Sequence, residues 1–220
     1  NVTPSALFPS QVTYSSFNYT FTTNVNGSST SYTFSYLPTS SATCTLLGFP
    51  VGSKNNPTNI VIPATVINGN NFYAVTSIAS GAFYGQNLTS VTFNQGLLTI
   101  GSLAFANNNL TSLTFPSSLT SIGNKAFISN PFPHAYAVHV PLNATWNTNW
   151  LECPFGCKDD LGKLTNGIQF VIQGTAVYEF QPDQYAWVIT SYDLTSSVGI
   201  DSSAKNATTT LNVPYAPYTP

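Results

Sequence analysis

The chain has 220 residues, of which five lysines and seven carboxylates make only 5% charged, against about 25% in an ordinary soluble domain. An apolar content of 42% is ample for a buried core, so we expect a folded protein. The absence of arginine and of any basic cluster excludes a nucleic-acid-binding protein, because phosphate recognition needs a positive surface.

The few charges are distributed unevenly. Residues 1–151 contain no Asp or Glu, and their only charged side chains are Lys54 and Lys125. The chain instead has 25 Ser, 29 Thr and 23 Asn, which hydrogen-bond water without titrating. This composition favours an acidic habitat, or a surface covered by glycans or neighbouring subunits, where charge would cost desolvation energy. Both interpretations predict an extracellular protein.

No segment has the length of a membrane span. The longest apolar runs, such as residues 170–172, are strand-sized and fall far short of the ~20 residues that a span needs. The chain begins at Asn1 and contains no Met, so we expect a secreted product whose signal peptide has been removed. We therefore predict an extracellular or cell-surface protein with no membrane span.

The N-terminal segment, residues 1–56, has the pattern of strands. Alternating runs at 17–21 and 32–36 flank an Asn-Gly turn signal. The first run has no Lys or Pro, which are the residues that keep an exposed edge strand from pairing. It is therefore a candidate donor strand that completes the β-sheet of a neighbouring subunit, with Phe17, Tyr19 and Phe21 in pockets of that subunit. The alternative is a local hairpin with residues 32–36, in which case the donor would be residues 1–14.

The central segment, residues 57–142, contains an internal repeat with a period of 22 residues. It is defined by Phe83, Phe105 and Phe127, each preceded by Ala, and by Ile78, Ile100 and Ile122 five residues before each Phe. A period of this length is typical of leucine-rich repeats, where each unit gives one strand to a stacked solenoid. We predict that these Phe and Ile side chains form the repeat core, with a glycine permitting each bend.

The repeat also predicts an outward-facing sheet surface. Residues 90–93 and 112–115 alternate apolar and polar side chains, which indicates strands with Thr92 and Thr114 facing outward. His139 occupies the equivalent position further on. We therefore predict that Thr92, Thr114 and His139 lie on adjacent strands of one parallel sheet and are its possible contacts for a ligand.

The repeat resembles the BspA-like leucine-rich repeat family. Residues 110–116 read LTSLTFP and residues 119–127 read LTSIGNKAF, which are similar to the strand and the Ala-Phe half of the family's unit. Residues 59–63 followed by residues 72–78 look like the family's longer entry repeat, and residues 137–141 look like a last strand. The resemblance implies a surface-exposed, non-enzymatic protein engaged in adhesion or assembly, with no catalytic residues and no cofactor.

The C-terminal segment, residues 143–220, has further strand signals at residues 167–171, 176–180, 185–192 and 208–213. Helix signals are poor throughout. We predict a mainly β protein: a short solenoid whose flanks cap it or form a separate module similar to a β-sandwich.

Three cysteines, Cys44, Cys153 and Cys157, are the disulfide candidates. In an oxidising exterior one pair is the default, which leaves one thiol free, and the spacing does not decide which. Together with His134 and His139 they have loose spacing for zinc, so we predict no metal site.

Potential catalytic groups are few. Glu179 and Asp183 have a spacing compatible with a glycosidase pair, but Gln181-Pro182 between them predicts a turn. No nucleophile elbow, phosphate loop or zinc-protease motif occurs in the sequence. We therefore predict that the protein is not an enzyme and keep a glycoside-active enzyme as a remote alternative.

Seven sequons allow N-linked glycans. The better candidates are Asn18, Asn26, Asn143 and Asn206, followed by Asn87, Asn109 and Asn1. Asn87 and Asn109 occupy equivalent repeat positions. If their side chains turn inward to bond the backbone, as Asn often does in leucine-rich repeats, they cannot carry glycans.

Two functional hypotheses follow. The first is a structural subunit of a glycosylated extracellular assembly, a filament joined through the N-terminal strand; low charge and strand-rich flanks also resemble crenarchaeal surface threads and pilus-like fibres. The second is a monomeric cell-surface adhesin that binds a glycan or protein through the repeat sheet.

The composition predicts a fold that resists acid. Acid unfolding mostly reflects carboxylates whose pKa values are lowered in the native state, so their stabilising effect is lost as the pH falls. Because residues 1–151 contain no carboxylate, we expect the thermal midpoint to change little between neutral pH and about pH 3. A midpoint that collapses on acidification, measured by circular dichroism, would contradict this.

Overall fold

The computed structural model describes residues 13–25, 27–133, 136–149, 152–155, 168–181 and 186–192. These residues form thirteen strands and no helix, which confirms the prediction of a mainly β fold. Among them, no helix is long and apolar enough to cross a membrane.

The chain enters the fold through an antiparallel hairpin. Strand β1 (Phe17–Val25) pairs along its whole length with β2 (Ser28–Pro38), so that Phe17 lies opposite Tyr36 and Phe21 opposite Tyr32. The prediction that Phe17, Tyr19 and Phe21 form a donor strand is therefore wrong for these residues, because they pair within their own chain. The Asn-Gly turn and the matching alternation of the two runs favour this local pairing.

The hairpin has one aromatic and one hydroxyl-rich face. Its inward face buries the β2 rings, on which the three aromatic side chains of β1 pack. On the outward face, Thr20 Oγ1 lies 2.8 Å from Thr33 Oγ1, Thr22 Oγ1 lies 2.8 Å from Ser31 Oγ, and Ser35 donates to Asn18 at 2.7 Å. The outward face thus satisfies its polar groups without charge.

The hairpin is continuous with the back sheet of the solenoid. From β2 the sheet continues through β3 (Thr43–Gly48), β6 (Asn71–Ile78), β8 (Thr99–Ile100) and β9 (Ser121–Ile122), and β5 (Thr65–Asn68) pairs with β6. The pairings from β3 to β9 are parallel. The N-terminal strands are therefore a cap on the first coil.

The opposite side of the solenoid carries two smaller sheets. Strands β4 (Asn59–Val61) and β7 (Ser90–Thr92) pair in parallel. Strand β10 (Tyr136–Val140) begins a four-stranded sheet with β11 (Ile168–Gln173), β12 (Ala176–Gln181) and β13 (Ala186–Tyr192).

A column of stacked aromatic rings runs through the coils. The rings of Phe83 and Phe105, and of Phe105 and Phe127, lie 5.4 Å apart and nearly parallel, and all three side chains are fully buried. Phe34 of the hairpin meets Phe83 edge-on at 5.5 Å. Ile78, Ile100 and Ile122 are buried beside the column. The 22-residue period therefore places one phenylalanine in each coil directly on the next.

The column has one more ring than the sequence repeat indicates. Phe155 stacks on Phe127 at 6.1 Å, and the Phe127 N–H donates to Pro154 O, as the Phe105 N–H does to Ala126 O. Lys125 and Glu152 form an ion pair at 3.6 Å beside this contact. The solenoid thus extends past the predicted boundary at residue 142.

The glycines before the Ala-Phe pairs have two different functions. Gly81 has a φ of 68°, and the equivalent Leu103 and Lys125 share this left-handed conformation at 59° and 57°. Gly101 does not form the bend: a Cβ there would lie 2.4 Å from the Ser80 nitrogen, so glycine is needed for the close approach of successive coils.

Two buried asparagines bond the backbone of successive coils. Asn108 accepts from the N–H groups of Gln86 and Leu88, at 3.0 and 2.9 Å, and donates to Phe83 O at 2.8 Å and Phe105 O at 3.0 Å. Asn130, 22 residues later, donates to Phe105 O and Phe127 O. These amides replace backbone partners that the turns between coils lack.

We expect Phe105→Ala to lower the free energy of unfolding by about 3 to 5 kcal/mol, because it leaves a cavity in the middle of the column. Phe72→Ala is the matched control, since the Phe72 side chain is 64% exposed, and should cost about 0.5 kcal/mol or less. Urea denaturation measures both, and equal losses would contradict the proposed importance of the column.

We expect Asn108→Asp to lower the free energy of unfolding by about 3 to 5 kcal/mol at neutral pH, because a buried carboxylate cannot donate to the two phenylalanine carbonyls. Burial raises the pKa of this carboxyl above its unfolded value, so the folded protein is most stable below the unfolded pKa and loses stability as the pH rises. Denaturation at neutral pH and at about pH 3 should show the loss shrinking in acid. Asn109→Asp, at the exposed neighbour, should have little effect at either pH.

Candidate functional site

The candidate site lies at the surface where the sequence predicts an outward-facing parallel sheet and where the structure has no continuous sheet. Residues 111–116, all within the described part of the chain, form no strand, and His139 belongs to β10, which pairs with β11. The prediction that Thr92, Thr114 and His139 share one parallel sheet is therefore wrong. Strand β10 pairs with β11 in the four-stranded sheet, and β7 pairs with β4 in a separate two-stranded sheet.

This opening forms two adjoining depressions, which together we call the strand-face groove. The first has a volume of about 270 Å³ and is lined by Ser90, Val91, Thr92, Phe93, Gln95, Ser112, Thr114, Phe115 and Pro116. The second has a volume of about 460 Å³ and is lined by Leu113, Thr114, Phe115, Ser117, His139, Pro141, Leu142 and Asn143. Thr114 and Phe115 line both, so the groove crosses three successive segments of the solenoid.

The groove has an apolar floor and a polar rim of hydroxyl, amide and imidazole groups. Phe115 is half-buried at its centre and stacks on Phe93 at 5.9 Å. Thr92, Thr114 and His139 are exposed along the rim, so the three predicted contact residues do line one feature. The arrangement can bind a ligand with apolar and hydrogen-bonding groups, and the lining residues named above include no Lys, Arg, Asp or Glu that could pair with an ionic one.

Gln173 fixes one wall of the groove. Its side-chain nitrogen donates to Pro141 O at 2.9 Å and to Ala144 O at 2.6 Å, and its oxygen accepts from Trp146 Nε1 at 3.1 Å. The Trp146 ring also packs on Phe155 at 5.9 Å, at the end of the aromatic column. Sequence reasoning missed Gln173, because nothing in its local pattern distinguishes it from other strand residues.

The described sequons are all exposed. Asn18 lies on the outward face of β1, Asn87 and Asn109 lie on the loops between coils, and Asn143 lies on the groove rim. The inward asparagines are instead Asn108 and Asn130. Glycosylation at the four exposed sites stays a prediction, and Asn1, Asn26 and Asn206 lie outside the described residues.

Cys44 lies far from Cys153 and Cys157 in the sequence. Cys44 is a buried free thiol in β3, so it is not part of a disulfide. Burial raises the pKa of Cys44 to about 11 and also raises that of the neighbouring Tyr36, which keeps both groups protonated at neutral pH. Cys153 is buried next to Phe155, whose N–H points to its Sγ at 3.4 Å. Cys157 lies outside the described residues, so Cys153 and Cys157 stay candidates for a disulfide.

The described residues contain no clustered metal ligands or acid-base pair at the groove. No three His, Cys, Asp or Glu side chains in this part of the chain come together in a way that could hold a metal ion. Glu179 lies in β12, away from the groove lining, and Asp183 is outside the described residues.

Comparison with known proteins identifies the repeat. A family profile described as a BspA type leucine-rich repeat region matches residues 53–136 in six copies. Comparison with curated protein sequences finds no match.

Several solved structures are similar. A leucine-rich repeat protein from Bacteroides capillosus is 22% identical, with a TM-score of 0.45 over 69% of this chain and 97% of that one. One from Bacteroides ovatus is 21% identical, with a TM-score of 0.41 over 63% of this chain and 39% of that one. The pneumococcal vaccine antigen PcpA is 15% identical, with a TM-score of 0.37 over 72% of this chain and 54% of that one.

The family match and the structure agree on the segment of the chain that carries the repeat. Six copies over residues 53–136 cover the segment in which the Ala-Phe pairs stack with a 22-residue period. Residues 53–136 are therefore a leucine-rich repeat region of the BspA type.

Proposed function

We propose that the protein is a non-catalytic binding protein of the cell surface, an adhesin that holds its ligand in the strand-face groove. The observation that carries this proposal is the groove itself, an apolar-floored opening with Thr114 and Phe115 at its centre. In a solenoid, the open strand face is the surface that grows with repeat number and is free to bind. The repeat family and the low charge support an extracellular location.

The chemistry of the lining supports binding over catalysis. Among the described residues that line the groove, His139 is the one titratable side chain. General acid-base or nucleophilic catalysis needs at least two groups within hydrogen-bond reach of each other and of the substrate. Uncharged hydroxyls and amides around a half-buried phenylalanine instead provide contacts for a neutral glycan or for an extended peptide.

A filament joined by strand donation has less support. Phe17, Tyr19 and Phe21 are already used within the hairpin. Donation by residues 1–14 stays a prediction, since residues 1–12 lie outside the described part of the chain. We therefore prefer the adhesin to the filament.

We expect Thr114→Arg to abolish binding, because Thr114 is shared by both depressions and a long charged side chain there fills the groove. The full chain would be tested on immobilised neutral glycans and on immobilised extracellular-matrix proteins. For each surface that retains the wild-type chain, the variant should lose affinity at least about tenfold, which corresponds to about 1.4 kcal/mol.

The matched control is Thr111→Arg, an exposed threonine that precedes the groove segment and is not in its lining. Because Thr111 completes the sequon of Asn109, all three proteins would be produced in a host without N-glycosylation. It should bind like the wild type. An equal loss of affinity in both variants would show that added charge or impaired folding, and not the groove, causes the loss. Undiminished binding by Thr114→Arg would show that the ligand does not bind in the groove.

A further inference from the structure

We propose that the free edge of β1 joins a second copy of this chain, so that two hairpins form one continuous antiparallel sheet. This surface is separate from the strand-face groove, and the inference does not depend on the proposed ligand. The segment concerned runs from Thr20 to Val25.

The register of the hairpin determines which backbone groups face this edge. Val25 and Ser28 pair across a two-residue turn, and the register continues without a shift to Phe17 and Tyr36. In such a hairpin the pair next to the turn exchanges both hydrogen bonds, and every second pair repeats this. The N–H and C=O groups of Thr20, Thr22 and Asn24 therefore point away from β2.

Nothing in the described part of the chain pairs with these groups. Strand β1 is the end strand of its sheet, and although it lies near β5, these two strands do not pair. At the start of β1, the Phe17 ring lies 5.8 Å from the Tyr73 ring. Within the described residues, the edge beyond Tyr19 is a row of backbone donors and acceptors without a strand partner, which is a template for another strand.

The usual protection of an edge strand is missing here. Protein edges are commonly protected by Lys, Pro, bulges or short strands. Strand β1 has nine residues, no charge, no proline and no register shift. No acidic or basic residue occurs in residues 1–53, so two copies of this region do not repel each other.

A second copy fits this edge because antiparallel pairing of a strand with itself is self-complementary. Two-fold pairing places the outward hydroxyl face of one β1 next to that of the other, and the aromatic face next to the aromatic face. Tyr19 and Phe21 are only half-buried in the single chain, and they gain apolar contact in the pair. The two-fold contact closes on itself, so it yields a dimer and not a polymer.

The test uses Thr20→Lys with Thr33→Lys as its control. The two threonines bond each other through their hydroxyls on the outward face, so each variant removes the same hydrogen bond and adds one lysine to the same face. Only Thr20 lies on the edge strand. The full chain and both variants would be produced in a host without N-glycosylation, so that Asn18 is unmodified in all three.

Mass by sedimentation and light scattering over a concentration series decides the outcome. We expect a dimer for the wild type and for Thr33→Lys, and a dissociation constant at least about tenfold weaker for Thr20→Lys. A monomeric wild-type chain overturns the proposal, as does equal weakening in both variants. Polymers that persist in Thr20→Lys also overturn it and would instead favour donation by residues 1–14.

Discussion

The stacking of phenylalanine rings at 5.4 Å between successive coils is the contact on which the rest of this protein depends. Each coil is too short to bury its own apolar side chains, so the ring of one coil is the core of the next. The hairpin at one end and Trp146 at the other cover the two terminal rings of the column. Both flanks are thus parts of the same core.

Inside this fold, neutral amide side chains hydrogen-bond the backbone, where many other proteins use charged side chains. Asn108 and Asn130 connect carbonyl and amide groups of adjacent coils while remaining neutral, and Asn94 bonds Pro63 O and the Gly96 N–H in the same manner. A buried amide carries less desolvation cost than a buried ion. The described residues contain one ion pair, Lys125 with Glu152, and it lies on the surface of the last coil. Low charge is therefore compatible with an interior in which these buried amides are hydrogen-bonded.

The 22-residue period made the core residues predictable from the sequence. The features that the sequence did not predict lie where this period is interrupted. Phe83, Phe105 and Phe127 share the 22-residue spacing, but Phe155 follows after a longer interval and has Pro154 in place of Ala, so its rung could not be recognised. The groove residues Thr92, Thr114 and His139 were found from their register. The opening around them was not, because it depends on β10 pairing with β11, a contact between segments without any common pattern. Similarly, the sequence analysis considered an inward orientation for Asn109, which is part of a sequon, whereas the buried asparagine is its neighbour Asn108.

Because every coil takes its partners from the coil before and the coil after, the chain can change length by whole repeats without redesign of its ends. Duplicating the residues between two Ala-Phe pairs adds one ring to the column and one set of backbone bonds, while the hairpin and Trp146 keep the same neighbours. Insertions of any other length would shift residues such as Asn108 and Gly101 away from their contacts with the adjacent coil. Such a protein can therefore change its length in evolution only by gaining or losing whole repeats. Each added repeat of 22 residues lengthens the strand face and adds to the stability of the solenoid.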